Sequence, residues 1–326
     1  MSKKIQIKKT GNTDVMEWTD NNLIKTGPGK EEVRIGHSAI GVNFIDTYHR
    51  SGVYPVPLPC VLGLEAVGII DSVGEGVNGF KEGDRVGYAA GPLGAYCEKR
   101  DYPAKNIIKI PDFINDFEAA SVLLKGMTVE YLFNRTRKLK KDEYFLFHAA
   151  AGGVGLLASQ WSKHIGSKMI GTVSTESKGE LAREAGCDFI INYKEENVSK
   201  KVMDITGGAG VSVVYDGVGK DTFRQSLDSL SDRGLFVSFG QSSGMIAPVN
   251  LHEVFAPKNL FYTRPSLLVY NKSRNELIQS ANSVFELIKR KSIRLDNIKK
   301  YPLKDAADAH KDLQSRKTVG SLILVP

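Results

Sequence analysis

The segment Ala149-Ala150-Ala151-Gly152-Gly153-Val154-Gly155 decides the fold of this 326-residue chain. An apolar run at residues 144–148 precedes it, and an amphipathic run at residues 154–164 follows it. Runs of these two kinds are typical of a buried strand and of a helix with one apolar face. The segment therefore predicts a glycine-rich turn between a strand and a helix, the context in which such a turn binds a dinucleotide.

Each glycine of this turn has a steric task. Gly152 and Gly153 allow backbone amides to approach a pyrophosphate closely, and with Val154 they are the candidate phosphate-binding residues. Gly155 allows the helix to pack tightly on the strand. Ala150 stands where the usual fingerprint has its first glycine, so a tight turn without a ligand is the alternative interpretation.

Outward from this turn, apolar strands alternate with helical segments through the second half of the chain. The predicted strands are residues 144–148, 168–174, 189–191, 211–216, 235–239 and 260–263. The segments between them are long enough for right-handed crossovers. The pattern predicts an α/β fold whose six strands form a doubly wound parallel sheet, a Rossmann domain.

The first part of the chain reads as mainly β, with short strands broken by glycine and proline, as at residues 33–35, 66–70 and 85–88. The closing Ser321–Val325 is a strand with no partner left in the α/β part, so we expect it to return to the β-rich part. The predicted domains are residues 1–124 completed by 266–326, and residues 125–265. Within the last segment, Ser273 and Glu276 form a capping-box pattern that opens a helix.

The composition limits the class of protein. Hydrophobic residues make up 41% and charged residues 25% of the chain, and no apolar run reaches the roughly eighteen residues of a membrane span. No apolar segment follows Met1-Ser2-Lys3-Lys4 as in a secretory signal, and three widely spaced cysteines suit a reducing compartment, so we expect a cytoplasmic protein. The net charge of +7 favours anionic partners, either nucleic acid or a phosphorylated cofactor.

Motifs throughout the chain carry a resemblance to one family. They are Asp142-Glu143, Leu146, residues 150–155, Gln160 and Lys163, together with residues 41–46, 63–68, 83–86, 125–128 and 263–267. In these residues the chain resembles quinone oxidoreductases of the zeta-crystallin type, which belong to the medium-chain dehydrogenase/reductase superfamily. The resemblance implies a β-rich GroES-like domain that holds the substrate, a Rossmann domain that holds NADPH, and a homodimer.

The end of the second predicted strand bears on the choice between NADPH and NADH. NAD-specific domains normally have Asp or Glu there, which accepts hydrogen bonds from the ribose hydroxyls. Here Ser174 ends the strand, Lys178 follows, and Tyr193 comes after the third strand, so donors for a 2′-phosphate favour NADPH. The family resemblance gives these three residues the same role. Glu176 would favour NAD if it turned toward the ribose, and a solvated Lys178 is the alternative interpretation.

Positions that hold zinc in alcohol dehydrogenases of the same superfamily carry other residues here. Asn43 stands where a cysteine ligand would be and Leu64 where a histidine would be, which leaves Glu65 without two partner ligands. The six histidines show no metal-ligand spacing, and His148 at the end of the first strand is expected to be a packing residue. We therefore expect no metal.

Hydroxyl and amide groups are the candidates for positioning a hydride acceptor. The resemblance places Asn43, Tyr48 and Tyr54 against the nicotinamide and the acceptor, while aromatic residues at 48 and 54 also suit the edge of a domain. Lys125 and Thr128 are expected to open a helix, and the resemblance places them beside the nicotinamide; helix capping is the alternative role of Thr128.

Two further groups of residues are cofactor candidates. Phe239, Gly240 and Ser242 follow the fifth predicted strand, at the carboxyl edge where open α/β sheets bind ligands. Arg316 resembles a family position that reaches the cofactor from the C-terminal segment, and a solvent-exposed arginine is the alternative interpretation.

These features predict metal-free transfer of hydride or electrons from NADPH to a quinone. Reduction of α,β-unsaturated aldehydes or ketones is the second interpretation, which the sequence does not separate from the first. A binding-protein interpretation rests on the basic cluster at residues 135–141, since some relatives bind RNA or serve as crystallins. That cluster lacks interleaved aromatic residues, and a solvated helix terminus explains it, so nucleic acid is not the expected partner.

Overall fold

A computed structural model describes residues 2–22, 24 and 26–326 of the chain. Met1, Leu23 and Lys25 lie outside the described residues. All three belong to the predicted domain 1–124, and Met1 also belongs to the N-terminal segment considered as a secretory signal.

Strands and helices follow one another along the whole described chain. The strands are β1 (Lys3–Ile7), β2 (Glu17–Asp20), β3 (Glu32–Val42), β4 (Cys60–Val61), β5 (Glu65–Val73), β6 (Arg85–Ala89), β7 (Lys99–Pro103), β8 (Ile108–Lys109), β9 (Tyr144–Phe147), β10 (Lys168–Val173), β11 (Phe189–Asn192), β12 (Val211–Asp216), β13 (Leu230–Ser238), β14 (Phe261–Thr263), β15 (Ile298–Pro302) and β16 (Ser321–Val325). The α-helices are α1 (Phe44–Ser51), α2 (Asp116–Glu130), α3 (Gly153–Ile165), α4 (Glu176–Glu184), α5 (Val198–Ile205), α6 (Phe223–Ser229), α7 (Leu251–Phe255), α8 (Leu267–Tyr270), α9 (Arg274–Lys289) and α10 (Ala306–Gln314). A π-helical turn, Tyr131–Thr136, follows α2.

The chain divides into two compact units. The first unit contains the residues up to Met127, Asn271–Lys289 and Arg294–Pro326, and the second contains Thr128–Tyr270 and Arg290–Ile293. These units differ from the predicted domains at residues 125–127, 266–270 and 290–293. The predicted domain boundaries stay a prediction.

The second unit contains one sheet of six parallel strands, in the order β11-β10-β9-β12-β13-β14. Leu146 and Phe236 belong to its buried core, as expected for a parallel sheet that helices cover on both faces. The strand order reverses between β9 and β12, and ligands bind at such a reversal, outside the carboxyl ends of the strands. The predicted Rossmann sheet is confirmed, although the fifth strand runs from Leu230 to Ser238 instead of over residues 235–239.

The first unit contains two sheets, a larger one in the order β15-β16-β3-β5-β6-β8, with β7 also paired to β3, and a smaller one in the order β2-β1-β4. Strand β16 pairs antiparallel with β3, and Leu322 lies opposite Val42. The predicted return of the closing strand to the β-rich part is therefore confirmed. This pairing holds the strand that leads into Asn43.

The predicted capping box is present at the start of α9. Ser273 N donates to Glu276 Oε2 at 3.0 Å, and Glu276 N donates to Ser273 Oγ at 3.2 Å. The reciprocal bonds satisfy amides that have no partner within the helix. Leu277, Val284 and Phe285 form part of the buried face of this helix.

Across the described residues, no helix combines the length and the apolar character needed to cross a bilayer.

Candidate active site

The glycine loop of the second unit lies between β9 and α3. Gly152 is the N-cap residue of α3 and has an extended backbone. As a glycine, it makes no side-chain hydrogen bond to the first amides of the helix. Because α3 begins where β9 ends, the positive end of its dipole lies at the carboxyl edge of the sheet, where it attracts phosphate. A Cβ on Gly155 would lie 2.4 Å from Ala149 O and 2.5 Å from Ala150 O, so helix and loop approach more closely than a side chain allows. The residues present fit a dinucleotide pyrophosphate.

The departure of Ala150 from the usual fingerprint has a compensation in the neighbouring strand. A Cβ on Gly171 of β10 would lie 2.6 Å from the Ala150 Cβ. The absence of a side chain at 171 therefore leaves room for the methyl group at 150. Ala150 therefore fits against β10 at this turn.

His148 lies buried behind the glycine loop. Its Nδ1 is 3.0 Å from Thr172 Oγ1 and its Nε2 is 3.0 Å from Ser226 Oγ. Ser226 also donates to Asp216 Oδ2 at 2.8 Å, while Asp216 Oδ1 accepts from the Val218 amide at 2.7 Å. Burial lowers the pKa of His148, so its ring packs in the neutral form. This hydroxyl network around the end of β12 was not predicted from the sequence.

Two lysine side chains, Lys178 and Lys194, lie near each other beyond the ends of β10 and β11. Ser174 and Tyr193 follow these paired strands, and the hydroxyl of Thr175 accepts from the Lys178 amide at 3.4 Å in the first turn of α4. Burial and the nearby charge of Lys194 lower the pKa of Lys178. Two ammonium groups close together form a suitable site for a phosphate dianion. Sequence reasoning missed Lys194, although its position next to Tyr193 was a usable signal.

Glu176, the residue that could favour NAD, has a partner in its own helix. Arg183 NH1 donates to Glu176 Oε1 at 2.7 Å, and both side chains are exposed. The carboxylate is therefore paired along α4.

Phe239, Gly240 and Ser242 run beside the end of β12. The amides of Phe239 and Gly240 donate to Asp216 O at 2.9 and 3.3 Å, and the Ser242 amide donates to Gly217 O at 3.2 Å. These bonds bring the three predicted residues to the carboxyl edge of the sheet. Their contact with a cofactor stays a prediction.

In the first unit, Asn43 lies between β3 and α1 and contacts a buried carboxylate. Its Nδ2 donates to Glu65 Oε2 at 2.7 Å, and the Leu124 amide donates to Glu65 Oε1 at 2.8 Å. Lys125 Nζ is 3.9 Å from Glu65 Oε2 and makes no hydrogen bond to any described residue. Burial raises the pKa of Glu65 and lowers the pKa of Lys125. The buried ammonium is thus suited to bind an oxygen of a ligand.

The prediction that Lys125 and Thr128 open a helix is wrong. They lie near the end of α2, which begins at Asp116 behind a capping box. In that box the Asn115 amide donates to Glu118 Oε2 at 2.9 Å, and the Glu118 amide donates to Asn115 Oδ1 at 3.0 Å. Sequence reasoning missed this earlier start signal, and Thr128, which is buried, has no capping role at an N-terminus.

Tyr48 and Tyr54 contact each other around the end of α1. Their rings lie edge to face with centroids 5.2 Å apart, and the Tyr54 amide donates to Tyr48 O at 3.1 Å. Phe44 joins the cluster, with its ring centroid 5.6 Å from that of Tyr48. Tyr48 is buried and Tyr54 is half-buried. The structure thus brings both predicted tyrosines together, and their role toward an acceptor stays a prediction.

Two other predicted features lie at the surface. Arg316 follows α10, is exposed and has a left-handed backbone with φ of 58°. In the basic cluster, Arg135 pairs with Glu130 at 2.6 Å and Arg137 pairs with Glu143 at 2.6 Å. These ion pairs offset part of the positive charge and agree with a structural role for the cluster.

Among the described residues, no group of three or more His, Cys, Asp or Glu side chains could hold a metal ion. Glu65 is instead contacted by Asn43, the Leu124 amide and Lys125. The absence of metal stays a prediction, which metal analysis of the purified protein tests.

The glycine loop on a Rossmann sheet and the strands of the first unit define the class of medium-chain dehydrogenases and reductases. Residues 153–283 match the zinc-binding dehydrogenase family, and residues 29–138 match the alcohol dehydrogenase GroES-like domain. Quinone oxidoreductase 1 of Escherichia coli strain K12 is 47% identical over 329 residues, with 100% of both chains covered. The 2-haloacrylate reductase of a Burkholderia species is 43% identical, with 98% of both chains covered.

A solved structure agrees with these relatives. The E. coli quinone oxidoreductase complexed with NADPH has a TM-score of 0.97 and 47% identity, and the match covers 99% of this chain and 100% of that chain. This chain belongs to the quinone oxidoreductase family of the medium-chain dehydrogenase/reductase superfamily.

Proposed function

We propose that this chain is an NADPH-dependent quinone reductase. The observation that carries the proposal is the carboxyl edge of the parallel sheet. There the start of α3 offers a site for a pyrophosphate, and Lys178 with Lys194 offers a second site for a 2′-phosphate. Relatives that carry the name quinone oxidoreductase, one of them solved with NADPH, support the same function.

NADPH supplies a hydride when bound, and the protein has to hold it and exclude side reactions. The amides around Gly152, Gly153 and Val154 would bind the pyrophosphate. Ser174, Lys178 and Tyr193 would bind the 2′-phosphate. The residues that would border the rest of the coenzyme are Asn43, Tyr48, Lys125, Thr128, Phe239, Gly240, Ser242 and Arg316.

The first unit would bind the acceptor. Tyr48 and Tyr54 offer aromatic surface to a quinone ring, and Asn43 is fixed through its bond to Glu65. The ammonium of Lys125 would stabilise the negative charge that develops on an acceptor oxygen, because burial strengthens its interaction with that charge. No described metal-ligand group is needed for these steps.

The direct test compares NADPH and NADH oxidation by the chelator-treated protein with a panel of quinones and enones. We expect NADPH-dependent reduction of quinones that chelation does not change. The proposal fails if no quinone is reduced, or if chelation abolishes turnover and zinc restores it.

Reduction of an electron-poor alkene is the second candidate, and the 43% identical relative named 2-haloacrylate reductase favours it. The same panel separates the two functions. A kcat/KM for an enone well above that for every quinone would assign the chain to alkene reduction.

We also propose that the enzyme is a homodimer joined along the edge of the six-stranded sheet. Strand β14 lies at that edge, and Phe261 and Tyr262 are 61% and 52% exposed. An exposed apolar edge strand can pair with the same strand of a second copy.

Sedimentation of the unmodified protein should give twice the chain mass. Phe261→Lys should weaken the dimer, whereas Met245→Lys, which changes an exposed loop residue outside this strand, should not. A monomer in the unmodified protein contradicts the proposal.

The remaining expectations concern the setting of the enzyme. Cys60, Cys97 and Cys187 are free thiols, which supports a reducing, cytoplasmic location. We propose small-molecule acceptors as its partners and no nucleic acid.

A further inference from the structure

A chain of four polar side chains, buried inside the first unit, connects α1 to α10. Asp46 Oδ2 accepts from the Asn43 amide at 2.9 Å and from the Tyr96 hydroxyl at 3.0 Å. The Tyr96 hydroxyl is 2.9 Å from His310 Nε2, and Arg50 NH1 is 3.1 Å from His310 Nδ1. Each of the four side chains belongs to a residue at most 2% exposed. We call Asp46, Tyr96, His310 and Arg50 the buried polar chain.

The chemistry of the end groups fixes the direction of every bond in this chain. Arginine only donates, so His310 Nδ1 accepts from Arg50 and the ring proton lies on Nε2. Nε2–H therefore donates to the Tyr96 oxygen, and the Tyr96 hydroxyl proton is donated to Asp46. All bonds point the same way, from a cation to a carboxylate, and bonds aligned in this way strengthen one another.

The charges of the surrounding groups agree with this direction. Burial and the nearby Arg50 charge together lower the pKa of His310 to about 3, so the ring is neutral. Burial is the main cause that raises the pKa of Asp46, and the bonds from Asn43 and Tyr96 act against it, with a resulting pKa of about 7. The other charged groups that face Asp46 are Glu65 of β5, which raises its pKa, and Lys125 of α2, which lowers it.

Asp46 determines the position of a predicted site residue. The bond from the Asn43 amide to Asp46 fixes the first turn of α1, and the Asn43 side chain leaves that turn to meet Glu65. At the other end, Arg50 is tied by its NH2 group to Gln314 Oε1 at 2.9 Å and by Nε to Gly11 O at 3.2 Å. The C-terminal helix α10 is thereby connected to the start of α1.

We propose that Tyr96, His310 and Arg50 are positioning residues that keep Asp46 as a hydrogen-bond acceptor and so hold Asn43 in the geometry that acceptor reduction requires. The inference rests on the proposed function for its kinetic readout. Its structural readout, the ionisation of Asp46 sensed at the Asn43 amide, is independent of turnover.

A second buried tyrosine–histidine pair in the same unit is a matched control. Tyr88 OH is 3.0 Å from His37 Nε2, and His37 Nδ1 is 2.7 Å from Cys97 O. Both residues are buried, as in the buried polar chain. The control pair ends on a backbone carbonyl instead of a carboxylate, so removing the Tyr88 hydroxyl also breaks a buried bond to a histidine and leaves the donors to Asp46 in place.

The first experiment titrates the Asn43 amide resonance against pH in the full-length protein labelled with ¹⁵N-asparagine. In the unmodified protein we expect one transition from the Asp46 carboxyl. Tyr96→Phe removes a donor to the carboxylate and should move this transition to higher pH by about one unit, whereas Tyr88→Phe should not move it. An unchanged transition in Tyr96→Phe, or an equal shift in Tyr88→Phe, overturns the proposal.

The second experiment compares two substitutions of His310. Glutamine can accept through Oε1 and donate through Nε2, whereas leucine can do neither. We expect His310→Leu to lower kcat/KM for the acceptor about fivefold, as for one lost hydrogen bond, and to move the acid limb of the pH profile upward. His310→Gln should recover most of the loss.

The outcomes of the two experiments are distinguishable. Equal activities and equal pH profiles in the leucine and glutamine variants argue against the proposal. If the unmodified protein binds NADPH and reduces no acceptor, the proposed function fails, and the Asn43 titration alone decides on the buried polar chain. If His310→Leu does not fold, the comparison of Tyr96→Phe with Tyr88→Phe decides it.

Discussion

Gly155→Ala is expected to weaken NADPH binding about a hundredfold. The new Cβ would lie 2.4 Å from Ala149 O and 2.5 Å from Ala150 O, and neither backbone atom can move aside by a change of rotamer. The start of α3 must therefore shift away from the loop, and the amides proposed to bind the pyrophosphate shift with it. Overpacking of this kind costs about 1–3 kcal/mol, and each 1.4 kcal/mol corresponds to about tenfold in affinity.

Calorimetric titration with NADPH measures this effect, with thermal unfolding recorded in parallel. Ser159→Ala is the matched control, because it removes a buried 3.0 Å hydrogen bond to Gly155 O on the same helix and adds no atom to the loop. The control should lower stability and keep the coenzyme affinity. Wild-type affinity in Gly155→Ala would show that the helix start does not form the pyrophosphate site.

Lys178→Gln is expected to weaken NADPH binding tenfold or more and to leave NADH binding unchanged. A charge-assisted hydrogen bond to a phosphate contributes about 1.5–3 kcal/mol. NADH has no 2′-phosphate, so it does not make this bond and its affinity should not change. Lys194→Gln should act in the same direction, because the two ammonium groups lie close enough for Lys194 to lower the pKa of Lys178.

The measurement is the ratio of the two coenzyme Kd values in each variant. Lys201→Gln is the matched control, since it removes an equal charge from an exposed lysine that pairs with Glu196 at 3.1 Å. That ratio should not change in the control. If Lys178→Gln weakens the binding of NADH and NADPH equally, the lysine does not bind the 2′-phosphate.

The sequence was sufficient to predict the features that depend on local pattern. Apolar runs with intervening helices predicted the six parallel strands, and the lack of a partner for Ser321–Val325 in the α/β part predicted its return to the β-rich part. The glycine spacing gave the loop. Both kinds of signal lie within a few residues of the feature that they predict.

The features that were missed depend on contacts between distant residues or on competing local signals. Tyr96 and His310 are 214 positions apart, and nothing near either residue indicates the other. The start of α2 was misplaced because a threonine near its end, Thr128, was taken as a start signal while Asn115 and Glu118 formed the real capping box. Lys194 acts on Lys178 from across two strand ends, which periodicity does not reveal.

The pairing of β16 with β3 has a consequence for biosynthesis. The ribosome completes the residues of the second unit at Ile293, whereas the sheet that presents Asn43 also needs Ser321–Val325, which are made later. During translation, all residues of the second unit are therefore present before the larger sheet of the first unit is complete. A nascent chain stalled before residue 321 would contain the whole second unit and lack the strand that pairs with β3.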